Sequence, residues 1–128
     1  IVACGGLTGV MEAVCRGAKS EGGATIGILP GADPKAANAW VDIAICTGIG
    51  YARNVAVVLT GRAVIAVDGA YGTMSVIGHA LGVGIPVIGL HALSFSIDGE
   101  ANKGMVIARD PVDAVEKALE AARKRDLS

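Results

Sequence analysis

Short apolar runs alternate with stretches of helical hydrophobic periodicity along the whole chain. The apolar runs predict β-strands, because they are short and end at glycine, proline or a polar residue. Strands are expected at residues 1–4, 24–29, 41–46, 63–67, 86–90 and 105–108. Helices are expected at 10–22, 51–59, 72–82 and from 110 onward, with a short one at 34–39 and a polar loop at 91–103.

Strand–helix alternation with short links favours parallel strands joined by right-handed crossovers. We therefore predict an α/β fold, with a doubly wound, mostly parallel sheet and helices on both faces. The length suits one domain and no linker interrupts the pattern, so residues 1–128 are predicted to form a single domain. The last helix is predicted to begin at a cap formed by Asp110. Its expected core-facing residues are Val112, Val115 and Leu119.

Composition and charge narrow the classes of function. Apolar residues make up 52% of the chain and aromatic residues 3%, so the core must consist of Val, Ile, Leu and Ala, which suits buried parallel strands. A formal net charge of −1 without a basic patch argues against binding of nucleic acid. Every apolar run is interrupted well before the roughly 20 residues of a membrane span, so no membrane association is expected.

Two further expectations concern the cysteines and the oligomeric state. Cys4, Cys15 and Cys46 form no C-x-x-C pair, so we expect buried, reduced thiols in a cytoplasmic protein, without a disulfide or a metal site. The predicted helix at 72–81 carries apolar residues on more faces than one sheet can cover. A homo-oligomer, dimer or tetramer, is therefore expected.

Three glycine-containing turns, at 5–9, 47–50 and 68–72, follow predicted strands and lead directly into helices. In an open parallel sheet, ligands bind beyond the carboxyl ends of the strands. Exposed N–H groups and the helix dipole favour an anion there, and glycine lets the backbone approach it closely. None of the turns has the spacing of a Walker A or dinucleotide fingerprint, and each alone is better explained as a tight structural turn. Together they predict a phosphate-bearing small-molecule ligand.

These turns and the helix starts after them supply the candidate binding residues. The candidates are Gly5, Gly6, Thr8, Gly9, Met11, Glu12, Gly48, Gly50, Arg53, Asn54, Gly69, Tyr71, Gly72 and Thr73. Arg53 stands out, because the helix dipole disfavours a cation in a first turn; a contact with phosphate or carboxylate would explain it, and a surface cation is the alternative. Glu12 is favoured by the dipole alone, and Arg16 offers it a partner four residues on. Trp40 and Tyr51 would either stack on a base or line a subunit contact.

Four segments carry a resemblance to a known family. They are C-G-G-L-T-G-V-M-E-A at 4–13, G-G-A-T-I-G-I-L-P at 22–30, T-G-I-G-Y-A-R-N at 47–54 and G-A-Y-G-T at 69–73. In this order, over nearly the whole chain, they resemble the LOG-like ("lysine decarboxylase-like") family, and in particular its small prokaryotic members similar to molybdenum-cofactor carrier proteins. The resemblance implies a Rossmann-like fold that binds a nucleotide or a nucleotide-like cofactor such as molybdopterin. It also implies a strand and helix before Ile1, with one more phosphate-contacting turn.

Enzymes of that family hydrolyse nucleoside 5′-monophosphates to a free base and ribose 5-phosphate, using the motif P-G-G-x-G-T-x-x-E and an arginine. The matching positions here are Gly69, Gly72, Thr73 and, for the arginine, Arg53. Asp68 replaces the proline, Ala70 the second glycine and Val76 the glutamate. Valine can neither activate water nor stabilise an oxocarbenium ion. The sequence therefore predicts binding without hydrolysis and no required cofactor. The alternative is a phosphoribohydrolase in which Asp68, with Arg53, acts as a displaced catalytic acid.

Overall fold

The computed structural model describes residues 1–69 and 71–126. Its contacts group the chain into two compact units, Ile1–Thr60 and Gly61–Ser128, called unit 1 and unit 2 below. Each unit combines a parallel sheet with helices, which confirms the predicted α/β class. The single domain expected for residues 1–128 stays a prediction.

Unit 1 is built on a three-stranded parallel sheet in the order β1-β2-β3. The strands are Val2–Cys4, Thr25–Leu29 and Ile43–Cys46. The helices are α1, Val10–Ser20, and α2, Arg53–Thr60, with 3₁₀ turns at Pro34–Ala36 and Gly50–Ala52. All of these elements except the turn at Gly50–Ala52 were expected, with bounds shifted by a few residues.

The middle of β2 packs directly against the turn that follows β1. A side chain at Gly27 would come within 2.9 Å of the Gly6 Cα atom, so the two backbones touch. Thr25, at the start of β2, is fully buried; its hydroxyl donates to Trp40 O at 2.6 Å and accepts from Asp42 N–H at 2.9 Å. These bonds fasten the segment before β3 to β2.

Unit 2 is built on a second parallel sheet in the order β4-β5-β8. The elements are β4 Val64–Val67, α3 Tyr71–Gly82, β5 Val87–Leu90, β6 Ser96–Ile97, β7 Glu100–Ala101, β8 Met105–Ile107 and α4 Pro111–Asp126. Its core joins Ile88 and Leu90 of β5 to Ala114 and Ala118 of α4, together with Ala108, which follows β8.

The predicted inward face of α4 is wrong. Val112, Val115 and Leu119 are 67%, 49% and 50% exposed, whereas Ala114 and Ala118 are buried against β5. The buried residues of α4 are Asp113, Ala114 and Ala118, so the helix is rotated relative to the expected face. The small alanines allow the helix backbone to approach the sheet closely.

The loop expected at 91–103 contains a short antiparallel hairpin, β6–β7, that the sequence analysis missed. Its turn residues Asp98 and Gly99 both have positive φ, 51° and 79°. This is the backbone that an Asp-Gly pair favours in a two-residue hairpin turn.

The thiols are less uniformly buried than expected. Cys15 is fully buried and Cys4 is half-buried, but Cys46, near the end of strand β3, is exposed, so that part of the expectation is wrong. Cys4, Cys15 and Cys46 are free thiols in the structure. The expected reduced state and cytoplasmic location stay predictions.

Helix α3 is apolar on most of its faces, and Met74 is 47% exposed on it. A groove of about 430 Å³ runs along it and is lined by Met74, Ile77, Gly78, Leu81, Gly82, Leu93, Phe95 and Ile97. Within residues 1–69 and 71–126, no helix combines the length and apolar character needed to cross a membrane. The homo-oligomer expected from this helix stays a prediction.

The start of α4 is organised by the carboxylate of Asp113, which is 7% exposed. It accepts the Arg109 N–H at 2.9 Å and the ammonium of Lys117, and its own N–H donates to Asp110 Oδ1 at 2.8 Å. The last bond confirms the predicted Asp110 cap. The Lys117 ammonium and then the Arg109 N–H hold the pKa of Asp113 well below its usual range.

Asp113→Asn is expected to lower the melting temperature at pH 7, because it removes the ionised acceptor. A depressed folded-state pKa contributes stability above the unfolded value of about 3.9 and loses it as pH falls through the folded value. The wild type should therefore lose part of its advantage over Asp113→Asn below about pH 4. Thermal melts from about pH 7 to 3 test this, with Glu116→Gln, an exposed carboxylate of α4, as control. A constant difference between wild type and Asp113→Asn across this range would contradict it.

Candidate functional site

Two of the three predicted glycine turns lie at the same edge of the unit 1 sheet. The turn at 5–9 follows β1 and the turn at 47–50 follows β3, with β2 between them. Because the three strands are parallel, both turns lie beyond the carboxyl ends of their strands. Arg53 is the first residue of α2, which follows the turn at 47–50, and its guanidinium lies against Gly5 of the other turn.

Arg53 is buried, with 7% of its surface exposed, and two hydrogen bonds fix its position. Its Nε donates to Ile28 O in β2 at 3.0 Å, and its Nη1 donates to Asn54 Oδ1. The guanidinium lies against Gly5, where an added Cβ would be 2.5 Å from Nη2 and 2.7 Å from Met11 Sδ. Gly5 therefore makes room for the arginine, and the buried Asn54 positions it.

The charge of Arg53 lacks a carboxylate partner: no ion pair within residues 1–69 and 71–126 includes it. Burial lowers the pKa of its guanidinium, yet arginine stays protonated in proteins. A buried cation without a counter-charge is costly unless a bound anion compensates it. Arg53 is thus the strongest indication of an anion site in unit 1.

Helix α1 begins close to Arg53, because Met11 of its first turn and the guanidinium both lie against Gly5. Gly9 is the N-cap, with φ 75°, and makes no side-chain cap bond. The first intrahelical bond runs from Ala13 N–H to Gly9 O at 3.1 Å, so the N–H groups of Val10, Met11 and Glu12 have no intrahelical partner. Such groups attract anions.

Asn38 holds the turn at 5–9 in place, and the sequence analysis missed it. Its N–H donates to Gly6 O at 2.9 Å and its Nδ2 to Leu7 O at 2.8 Å, while its Oδ1 accepts the Trp40 N–H at 3.0 Å. Asparagine commonly bonds to backbone in turns, which was the available signal. The partner turn lies about 32 residues away in sequence, and nothing local identifies it.

The turn at 47–50 does not offer the free N–H groups that were expected. Gly48 N–H donates to Gly31 O at 3.0 Å and Gly50 N–H to Pro30 O at 2.9 Å. The Thr47 hydroxyl donates to Leu29 O at 2.6 Å. These bonds tie the turn to the end of β2. A contact of Gly48 or Gly50 with phosphate stays a prediction, and it would require their N–H groups to give up these carbonyl partners.

A groove of about 500 Å³ lies along the outer side of α1, lined by Gly9, Glu12, Ala13, Arg16, Gly17, Ser20 and Trp40. The expected pair of Glu12 and Arg16 is not among the ion pairs of the described residues. Instead, the Arg16 guanidinium lies 5.8 Å from the centre of the Trp40 ring, within the range of a cation–π contact. Trp40 is therefore placed beside α1, whereas Tyr51 is 85% exposed.

The third predicted turn belongs to unit 2. Asp68 is exposed with φ 53°, and its N–H donates to Leu90 O at 3.2 Å. Gly69, with φ 119°, lies tightly against Thr73, because an added Cβ would be 2.2 Å from the threonine hydroxyl. Ala70 lies outside the described residues. The ligand contacts expected of Gly69, Tyr71, Gly72 and Thr73 stay predictions, as does that of Thr8.

The acidic, cysteine and histidine side chains form no metal-binding cluster within the described residues. Across 1–69 and 71–126, no three of them come together in a way that could hold an ion.

Gly6→Ala is expected to destabilise the protein by about 1–3 kcal/mol. Gly6 has φ 77°, and an added Cβ would be 2.7 Å from Leu29 Cδ2 and 3.0 Å from Gly27 Cα. Urea unfolding followed by the fluorescence of Trp40, the single tryptophan, measures this. Gly17→Ala is the matched control: no atom lies within 4 Å of its added Cβ, so helix propensity should stabilise it by up to about 1 kcal/mol. Equal stability of both variants would show that the turn is not tightly packed.

Comparisons with known proteins identify the family of this site. Residues 1–118 match the model of the SLOG cluster4 family, which is LOG-like and Rossmann-type. An uncharacterized protein of Archaeoglobus fulgidus is 49% identical over 86 residues, which are 67% of this chain and 56% of that relative. The match thus spans little more than half of the relative's length. The predicted resemblance to the LOG-like family is confirmed.

Solved structures agree with this family. The molybdenum cofactor binding protein of Rippkaea orientalis is 36% identical with a TM-score of 0.81, over 92% of this chain and 75% of that one. The molybdenum cofactor carrier protein of Chlamydomonas reinhardtii is 30% identical with a TM-score of 0.80, over 94% of this chain and 77% of that one. The Rossmann-like fold is therefore confirmed.

Proposed function

Because the chain belongs to the SLOG cluster4 family, we propose that it binds a phosphate-bearing small molecule without hydrolysing it. The molecule is a nucleotide or a nucleotide-like cofactor such as molybdopterin. The observation that carries this proposal is Arg53, a buried cation whose charge no carboxylate of the described residues balances. The proposed binding site for this molecule lies at the carboxyl end of the unit 1 sheet.

The surroundings of Arg53 support a bound anion such as phosphate. The guanidinium lies against Gly5, and Met11, whose sulfur contacts the same glycine, is in the first turn of α1. The unbonded N–H groups of that turn and the arginine would share one phosphate. Since Ile28 O and Asn54 already hold the arginine, little side-chain order remains to be lost on binding.

The solved relatives support a cofactor as the ligand, because two of them are a molybdenum cofactor binding protein and a molybdenum cofactor carrier protein. Such a cofactor combines a phosphate with a ring system. We propose that the phosphate is held at Arg53 and that the protein carries or senses the molecule. In that case the cofactor is cargo, and the protein needs no resident cofactor.

Val76 supports binding without hydrolysis. It is half-buried in α3, at the position where the resemblance places the glutamate of the hydrolases. Removing a positioned general base costs roughly 10²–10⁴-fold in rate. The remaining carboxylate near that motif, Asp68, is exposed at the end of β4.

Arg53→Gln is expected to weaken binding of AMP, GMP or pyrophosphate roughly 10- to 100-fold, the equivalent of one or two charge-assisted hydrogen bonds. Glutamine retains a donor for Ile28 O, so the loss reports the charge. Calorimetric titration gives the Kd. Lys35→Gln is the matched control, because it removes one exposed cation of unit 1 and changes the net charge equally. Equal affinity of Arg53→Gln and wild type for a probe that binds would contradict the proposed site.

Incubation with AMP, GMP or CMP is expected to yield no free base, because Val76 cannot activate water. Chromatography of the products over hours measures this. Base release that disappears in Asp68→Ala would contradict binding without hydrolysis and establish the phosphoribohydrolase alternative. Release that persists in Asp68→Ala would point to a contaminating enzyme.

A further inference from the structure

Two cysteines of unit 1 are in contact. Cys4 ends β1 and Cys15 lies in the middle of α1, and their Sγ atoms are 3.5 Å apart. Cys4 is half-buried and Cys15 is fully buried. The Gly6 N–H donates to Cys4 Sγ at 3.4 Å, which holds this sulfur at the start of the turn at 5–9.

We propose that Cys4 and Cys15 form a redox-active pair that a hydroperoxide converts into an intramolecular disulfide. A disulfide requires its sulfurs to be about 2.05 Å apart. From 3.5 Å, the two atoms need to approach by about 1.5 Å more. Cys46, on the other strand at the edge of this sheet, is the exposed thiol that takes no part.

The reaction divides into two steps that balance. The Cys4 thiolate attacks one oxygen of the hydroperoxide; the O–O bond breaks, the other oxygen leaves as water or an alcohol, and Cys4 becomes a sulfenic acid. The Cys15 thiol then gives its proton to solvent and attacks Cys4 Sγ, and hydroxide leaves as water. The two thiols lose two electrons in total, and the hydroperoxide gains them.

The different burial of the two sulfurs gives this order. Cys4 is the more accessible to an oxidant. Burial, and then the contact with Cys4, raise the pKa of Cys15 to about 11, so this thiol is protonated at neutral pH and does not react first. Once Cys4 is oxidised, Cys15 is already within contact distance, and disulfide formation protects Cys4 from further oxidation.

The disulfide would enclose the turn at 5–9, because Cys4 precedes it and Cys15 lies beyond it in α1. It would also move Cys4 Sγ away from the Gly6 N–H. Constraining the unfolded chain in this way raises stability. Neither step involves a bound ligand, so the disulfide is expected to form whether or not unit 1 binds a phosphate.

The test treats the full chain with hydrogen peroxide and then removes the peroxide. The protein is unfolded in guanidinium chloride so that the buried Cys15 becomes accessible, the remaining thiols are blocked by alkylation, and the intact mass is measured. We expect a loss of about 2 Da, one alkylated cysteine where untreated protein has three, and a melting temperature higher by several degrees. The tryptic peptide ending at Arg16 contains both cysteines. Cleavage after Glu12 should leave its two parts joined until a thiol reductant separates them.

Variants identify the pair. Cys46→Ser should form the disulfide as the wild type does. Cys4→Ser and Cys15→Ala should lose it, and in Cys15→Ala the remaining Cys4 should advance to sulfinic acid. The peptide map of the wild type does not depend on how the variants fold. Sulfinic acid on Cys4 in the wild type, a disulfide to Cys46, or three alkylated cysteines after peroxide treatment would each overturn the proposal.

Discussion

The burial of the Arg53 guanidinium is the constraint on which the arrangement of unit 1 depends. A cation with 7% of its surface exposed requires hydrogen-bond acceptors and space, and the surrounding residues provide both. Ile28 O and Asn54 Oδ1 accept hydrogen bonds from it. Gly5 has no side chain, and the guanidinium occupies the volume that a side chain would take. Within the described residues, no carboxylate forms an ion pair with Arg53. Its two hydrogen bonds satisfy Nε and one N–H of Nη1 but leave the positive charge uncompensated, which is the physical basis for the anion proposed above.

The glycines of this family motif have two physical functions that a sequence cannot separate. Gly5 and Gly6 are suited to close approach of a ligand, but the structure also requires them for packing against Arg53, Leu29 and Gly27. Gly48 and Gly50 have positive φ and tie their turn to the end of β2 through their N–H groups. The glycine pattern thus locates two turns at the carboxyl edge of the unit 1 sheet, where the proposed site lies. Which N–H groups remain free depends on bonds to residues distant in sequence, such as those of Asn38, and only the three-dimensional structure shows them.

Local signals predicted most of the fold because the β-strands are continuous apolar runs bounded by turns. The errors occurred where tertiary packing decides. Helix α4 has a strong apolar stripe containing Val112, yet its cap and the bonds of Asp113 turn the alanines toward β5. The hairpin β6–β7 was missed although Asp98-Gly99 is a local signal, since strands of two residues are too short to show alternation. Family membership followed from four ordered segments, a pattern more specific than any of its parts.

Under the proposed function, binding and hydrolysis are separable in this chain because different residues would supply them. Affinity for a phosphate requires a positive charge and N–H groups, which Arg53 and the start of α1 contribute in unit 1. Hydrolysis requires a carboxylate placed at the ribose, and α3 presents Val76 at that position of the motif. A chain that keeps the first set and lacks the second retains the ground-state interactions and loses those specific to the transition state. For a protein that carries an intact molecule, the absence of that carboxylate is an advantage, since it removes the route by which the cargo would be cleaved.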